Sequence, residues 1–324
     1  MTLARCKQWV KARVARCLSL GGWFCLTLLA FPLVADDAVG EIAVFYPDVP
    51  DPYVRVFIDI IDGMRAAYPG KIRDKVLDNN ASSGDVESWL RQNGLTSVVA
   101  LGNQAMTLVN QLPRDFSTVT GAVLAAPTTV ADDFTAITMA PDPGELFKEL
   151  RELAPDIRTV HVIYEEELHG RLLERARQAA RQQGLTVVSY RFESVAESAN
   201  LYRKLLTTLD SGRESVWLLQ GDSALRERAV LSEVLREAWN SRLLVFSSNP
   251  SYVSKGVLFS LYPDNARLGQ AIAQTMVAKS RGSNGGIEQT RDLLIAVNVR
   301  TAEHLGLNIS RSQRRSFNVV FPRK

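Results

Sequence analysis

The chain has 324 residues, 46% apolar and 23% charged, with 38 Lys+Arg against 35 Asp+Glu. That length is ample for two hydrophobic cores, and the composition excludes a low-complexity, collagen-like or disulfide-stapled protein. The basic excess is confined to the start: Arg5, Lys7, Lys11, Arg13 and Arg16 precede every acid, and without them 33 basic residues face 35 acidic ones, a net charge near −2. A nucleic-acid binder is therefore not indicated.

In chain order, the basic head is followed by CLSLGGWFCLTLLAFPLVA over 17–35, which carries no charge. A basic head, an apolar middle and Ala35 ahead of Asp36-Asp37 predict a secretory signal peptide over 1–35 and a periplasmic location. The alternative is an uncleaved membrane anchor, since the apolar run approaches spanning length. Pro32 and Ala35 favour cleavage. Cys6, Cys17 and Cys25 all lie in this segment, so the rest of the chain has no disulfide, thiolate nucleophile or Cys-ligated metal.

Beyond it, apolar runs alternate with amphipathic stretches. Strands are predicted at 41–47, 71–79 and 97–102, and helices at 53–64, 83–94 and 103–112. Ser83 is taken as an N-cap, and Gly94 and Pro113 as terminators. Two β-branched runs follow at 117–127 and 134–141, each closed by Pro. A second series opens with Pro143 in a first helical turn. Its helices cover 143–155, 172–184, 198–212 and 224–240. Its strands cover 159–165, 185–192, 215–222, 243–249 and 256–263. A helix capped by Asp264 (264–282), a strand (292–299) and a short helix (301–307) complete the pattern. GSNGG at 282–286 reads as a loop crossing between lobes, and the basic tail 310–324 as a surface strip or flexible end. Trp89, Trp217 and Trp239 fall on apolar faces.

Strand-helix alternation of this extent predicts an α/β protein with two doubly wound parallel-sheet lobes. The first lobe takes 36–141 plus 264–285, and the second 142–263 plus 286–324. Several crossings between them make a hinged interlobe cleft, faced from both sides by strand C-terminal ends.

The segment IAVNVRTAEHLGLNIS (295–310) is similar to the Asn-x-Lys-Thr-Ala-x-x-Leu-Gly-x-x-Ile-Pro ending of ABC-transporter substrate-binding proteins of the tryptophan/tyrosine-binding type. These are type I periplasmic binding proteins. The resemblance continues through 141–165, 215–222 and 243–273. It departs from the family at three corners. Gly102-Asn103-Gln104-Ala105 stands where the family often has Gly-Thr-x-Ala. Ala126-Pro127-Thr128 stands where Asp-Pro is frequent, and Gly221-Asp222-Ser223 where Asp-Asn is frequent. The resemblance implies the fold and a solute-binding role, but not an aromatic amino-acid ligand.

Ligands of open α/β sheets lie beyond strand C-termini, which selects the candidate contacts. These are Tyr46, Asp48, Gly102, Asn103, Gln104 and Ala105 in the first lobe. In the second they are Tyr164, Glu165, Gly221, Asp222, Ser247 and Asn249. Amides near Gln104 would meet a carboxylate at a helix N-terminus, with Asn103 as a side-chain donor. Asp222 or Asp48 would receive an ammonium, and Tyr46 and Tyr164 would flank an apolar body. The competing reading makes Asn103 a turn residue and Asp222 a helix cap. No Walker, Gly-x-Gly-x-x-Gly, Gly-x-Ser-x-Gly or His-Glu-x-x-His motif occurs. His161 reads as a packed strand residue, and Glu165 to His169 as a solvated acidic loop.

The expectation is a non-enzymatic, monomeric solute-binding protein without cofactor or metal, closing on a small ligand and read by an ABC importer permease. A ligand-sensing partner of a membrane signalling protein is the alternative. A cleft hydrolase, the third reading, would need an acid/base pair such as Glu165 and Asp222.

Overall fold

A computed structural model describes residues 40–125, 133–283 and 285–323. The signal segment 1–35 with its cysteines, and the corner Ala126-Pro127-Thr128, lie outside the described residues. The first series runs β1 (Ile42–Pro47), α1 (Tyr53–Ala67), β2 (Ile72–Leu77), α2 (Ser83–Gln92), β3 (Ser97–Leu101), α3 (Gly102–Val109), β4 (Ser117–Val123) and β5 (Ala136–Pro141). The second runs α4 (Pro143–Leu153), β6 (Thr159–Tyr164), α5 (Glu166–Gln182), β7 (Thr186–Arg191), α6 (Val195–Leu206), β8 (Glu214–Leu218), α7 (Ser223–Arg226), α8 (Arg228–Asn240) and β9 (Leu244–Ser247). A 3-10 turn (Pro250–Lys255) then leads to β10 (Phe259–Pro263). The chain closes with α9 (Asn265–Ser280), β11 (Ile287–Thr290), β12 (Leu293–Asn298), α10 (Val299–His304), α11 (Arg311–Ser316) and β13 (Val319–Phe321).

The strands form a six-stranded sheet, β11-β5-β4-β3-β1-β2, and a seven-stranded sheet, β13-β12-β10-β9-β8-β6-β7. Every pairing in the first is parallel. In the second, β12 runs antiparallel to β10. The reason is topological: β12 enters its sheet from the edge at which β10 leaves it.

Period-two alternation sorts β1 between two cores. Ile42, Val44 and Tyr46 pack toward α1 and α9, against Ile60, Met64, Leu268 and Ile272. Ala43 and Phe45 pack toward α2 and α3, against Val86, Leu90, Ala105 and Val109. The second sheet is likewise covered on both faces. On one side Trp217, fully buried, meets Phe147 edge-on at 5.6 Å and stacks on Phe246 at 6.2 Å. On the other, α6 and α8 bury Tyr202, Leu205, Leu231 and Val234. Each fully buried Leu or Phe contributes about 1.5–3 kcal/mol relative to exposure. The helices α1 and α9 cross in near backbone contact: a Cβ at Gly63 would lie 2.0 Å from the Ala266 carbonyl oxygen, and one at Gly269 2.0 Å from that of Ile60. Only glycine admits that approach.

The chain passes between the sheets at Pro141-Asp142-Pro143, at Pro263-Asp264-Asn265 and at Thr290–Leu293. The third passage bonds to both others. Asp142 N–H donates to Thr290 O at 3.2 Å, and Asp264 N–H to Asp292 O at 3.0 Å. Asp142 and Asp264 also cap α4 and α9, accepting from Gly144 N–H and Arg267 N–H at 2.7 and 3.1 Å.

Some expectations need correction. Ser82, not Ser83, caps α2, in a capping box with Asp85. The helix expected over 224–240 breaks at Glu227, whose ψ of 112° is extended, giving α7 and α8. Glu166 and Glu167 form the first turn of α5 rather than a solvated loop, where negative charge suits the helix dipole. Residues 287–290, assigned with the second lobe, pair with β5 in the first sheet. Of the two readings of the basic tail, the surface strip holds: α11 is exposed, and with β13 it is fixed by a Ser310–Gln313 capping box and by pairing with β12. Trp89 and Trp239 are only half-buried.

Candidate functional site

In the first lobe, Tyr46 is buried and stacks on Phe57, ring centroids 6.1 Å apart. Burial pushes its phenol above its ordinary pKa, with the Asp74 charge adding to the effect. Asp48 is exposed beyond β1. At the β3–α3 corner Gly102 has φ +85°, a left-handed conformation, and a Cβ there would lie 3.2 Å from the Phe57 ring. No side chain caps α3. Its first amides have no intrahelical acceptor, so this end presents donors and a partial positive charge. Asn103 is exposed beside them. Gln104 turns aside, its Nε2 donating to Asp78 O at 2.6 Å, and Ala105 is fully buried.

The second lobe differs. Tyr164 is buried in the core. Glu165 Oε1 accepts Ser223 N–H at 2.9 Å. Asp222 is 1% exposed, accepting Tyr202 O–H at 2.9 Å and Ala224 N–H at 2.9 Å. Burial raises its pKa, against the lowering effect of these hydrogen bonds and of His169. Ser247 Oγ–H donates to Leu218 O at 2.8 Å while its oxygen accepts Asn249 N–H at 2.9 Å. Asn249 in turn caps the 3-10 turn through Ser251. Gly221, at φ +89°, sits where a Cβ would stand 3.0 Å from Leu168 and 3.7 Å from Leu124 of the first lobe. His169 is buried rather than solvated, donating from Nε2 to Gln220 O at 3.0 Å. Its Nδ1 has no partner among the described residues, and burial lowers its pKa.

Between the lobes lies a cavity of about 470 Å³. Val56, Asp59 and Asp62 of α1 and Met139 of β5 form one wall, with Gln220, Pro250 and Leu294 opposite. Tyr262 of β10 and Asp264 of the passage between the sheets also line it. None of the residues named from the sequence lines this cavity. They ring the facing sheet edges instead, and reasoning from strand ends missed Asp59, Asp62 and Tyr262. The available signal was the spacing Val56-Asp59-Asp62, which places two carboxylates on one helical face.

The carboxylates needed for acid/base work, Glu165 and Asp222, are already engaged within the second lobe. His161, a strand residue as expected, is 5% exposed, with Nδ1 3.0 Å from Tyr190 Oη and Nε2 3.1 Å from Glu214 Oε1. Among the described residues no group of three or more His, Cys, Asp or Glu is placed to hold a metal ion. Among the same residues no helix is long and apolar enough to cross a membrane.

No protein-family profile and no curated protein matches the sequence. Solved structures do. A Clostridium difficile substrate-binding protein with adhesive properties, in its ligand-free open form, is 14% identical with a TM-score of 0.62, over 88% of this chain and 99% of that one. An ABC domain from Streptococcus pneumonia in complex with L-Trp is 18% identical with a TM-score of 0.55, over 88% and 100%. A conserved domain protein from Vibrio cholerae is 16% identical with a TM-score of 0.54, over 87% and 99%. What they share with this chain is a fold of two parallel-dominated sheets, that of the type I periplasmic binding proteins.

Proposed function

From a type I periplasmic-binding-protein fold, we propose that this chain is an exported solute-binding protein. It captures a small ligand between its lobes and presents it to the permease of an ABC importer. One observation carries the reading: a cavity of about 470 Å³ is walled by both lobes, beside facing sheet edges of which one carries an uncapped helix end. A ligand touching both walls only in the closed form favours closure by its differential affinity. The size lies in the usual range of small-molecule sites.

An amino acid or other small carboxylate fits best. Its carboxylate meets the first amides of α3 and the Asn103 side chain. An ammonium meets Asp48 or the acidic cavity wall of Asp59 and Asp62. Asp222 is withdrawn from that role, because its oxygens serve Tyr202 and the α7 amides. The L-Trp bound to the pneumococcal ABC domain supports the amino-acid class. The engagement of Glu165 and Asp222 argues against a hydrolase.

The test is a thermal-shift screen of the purified protein against amino acids, small carboxylates, nucleosides and sugars. A ligand at one hundred times its Kd adds about 2.7 kcal/mol to stability. The expected hit is an amino acid or small carboxylate whose effect weakens in Asn103→Ala while the ligand-free midpoint stays put. A screen without a concentration-dependent hit, or an unchanged affinity in that variant, refutes the reading. Cell fractionation with the protein in the periplasm checks export.

A further inference from the structure

A second cavity, of about 530 Å³, opens on the flank of the seven-stranded lobe, between α8, β9 and α10. It shares no lining residue with the interlobe cavity. Its floor is aliphatic, formed by Leu231, Leu235, Leu243, Val245 and Leu305. Trp239 and His304 add an aromatic wall, their rings 3.7 Å apart and 4° from parallel. His304 Nε2–H donates to Trp239 O at 2.8 Å, which holds the imidazole in place and makes that wall rigid.

The charges around this floor are of one sign. Arg228, Arg236 and Lys255 line the cavity, and no Asp or Glu does. Arg236 pairs with Glu237 at 3.0 Å. Arg228 and Lys255 have no carboxylate partner among the described residues. Lys255 rests over the Tyr252 ring at 5.2 Å, and Arg300 over Trp239 at 5.5 Å. Cations without counter-charges beside an apolar floor leave an incoming anion's charge unopposed while its body is buried. The interlobe cavity has the opposite character, with Asp59, Asp62 and Asp264 in its lining.

We infer that this flank cavity binds an organic anion with an apolar body, an aryl or acyl carboxylate or sulfonate. The floor and the Trp239–His304 wall take the body, and Arg228 and Lys255 take the charge. This site is independent of the interlobe reading and stands or falls without it.

The test uses two fluorescent probes of similar body, anionic 8-anilinonaphthalene-1-sulfonate and uncharged N-phenyl-1-naphthylamine, titrated into the purified protein. The expected result is saturable binding of the sulfonate with energy transfer from Trp239, about tenfold or more tighter than binding of the neutral probe. The double variant Arg228→Gln/Lys255→Gln, at exposed positions, should weaken the sulfonate about tenfold and leave the neutral probe unchanged. Ser232→Trp, also at an exposed lining position on α8, should block both probes by filling the mouth. Equal affinity for the two probes, or sulfonate binding undiminished in either variant, overturns the inference.

Discussion

The two sheet edges that face each other are built on opposite principles. In the second lobe the polar groups serve one another: Glu165 holds Ser223, Asp222 holds Tyr202 and the α7 amides, and Ser247 links Leu218 to Asn249. In the first lobe α3 has no side-chain cap, and Asn103 and Asp48 are exposed. A satisfied edge is a rigid platform with little left for a ligand, whereas an unsatisfied one keeps donors available at a cost in stability. The same residue types are therefore engaged with the protein on one side and left exposed on the other.

Five substitutions break or sharpen this contrast. Asp222→Ala strands the buried Tyr202 hydroxyl and the α7 amides, and should cost about 2–4 kcal/mol in denaturant unfolding. The corresponding change on the other edge, Asp48→Ala, should stay within about 0.5 kcal/mol. Equal costs would erase the distinction. The second lobe also holds an acid that burial disfavours in its charged form. Glu149 on α4 has its pKa pushed up to about 7 by burial, with the nearby Glu152 charge adding to the shift. A folded value raised above the ordinary 4.5 means that stability is fully present below pH 4.5 and is lost as pH rises through about 7. Glu149→Gln should therefore stabilise the protein at pH 8 by on the order of 1–2 kcal/mol, allowing for partial solvent screening, and have little effect at pH 4. Thermal melts across that range decide. Gly102→Ala forces a side chain into φ +85° against Phe57 and should cost about 1–2 kcal/mol. An effect on stability as small as that of Asp48→Ala is expected of Asn103→Ala, within about 0.5 kcal/mol, although it should weaken ligand binding severalfold.

The doubly wound pattern was legible because each helix and strand carries its own period: Leu146, Phe147, Leu150 and Leu153 mark one face of α4, and alternation marks β1. The sequence reading fails at β11 and β13, which are four and three residues long, too short for a period, and have partners far along the chain. Glu227 shows no breaker chemistry, so the gap between α7 and α8 has no local sign. The site was half legible. The strand ends could be placed from the sequence, but the commitments of their side chains were hidden, since Tyr202 reaches Asp222 across 20 residues and Ser223 reaches Glu165 across 58. Asp59 escaped because it lies within α1 and not at a strand end, whereas Tyr262, next to last in β10, stood at a strand end and was passed over.

The passages through Asp142, Asp264 and Arg291 lie side by side and bond edge to edge. A ribbon of this kind resists stretching and shear but yields to folding across its width. Any opening of the two halves would therefore bend this ribbon rather than stretch it. Because Asp142 and Asp264 cap α4 and α9 at the border of that ribbon, such bending would carry the first turns of both helices with it.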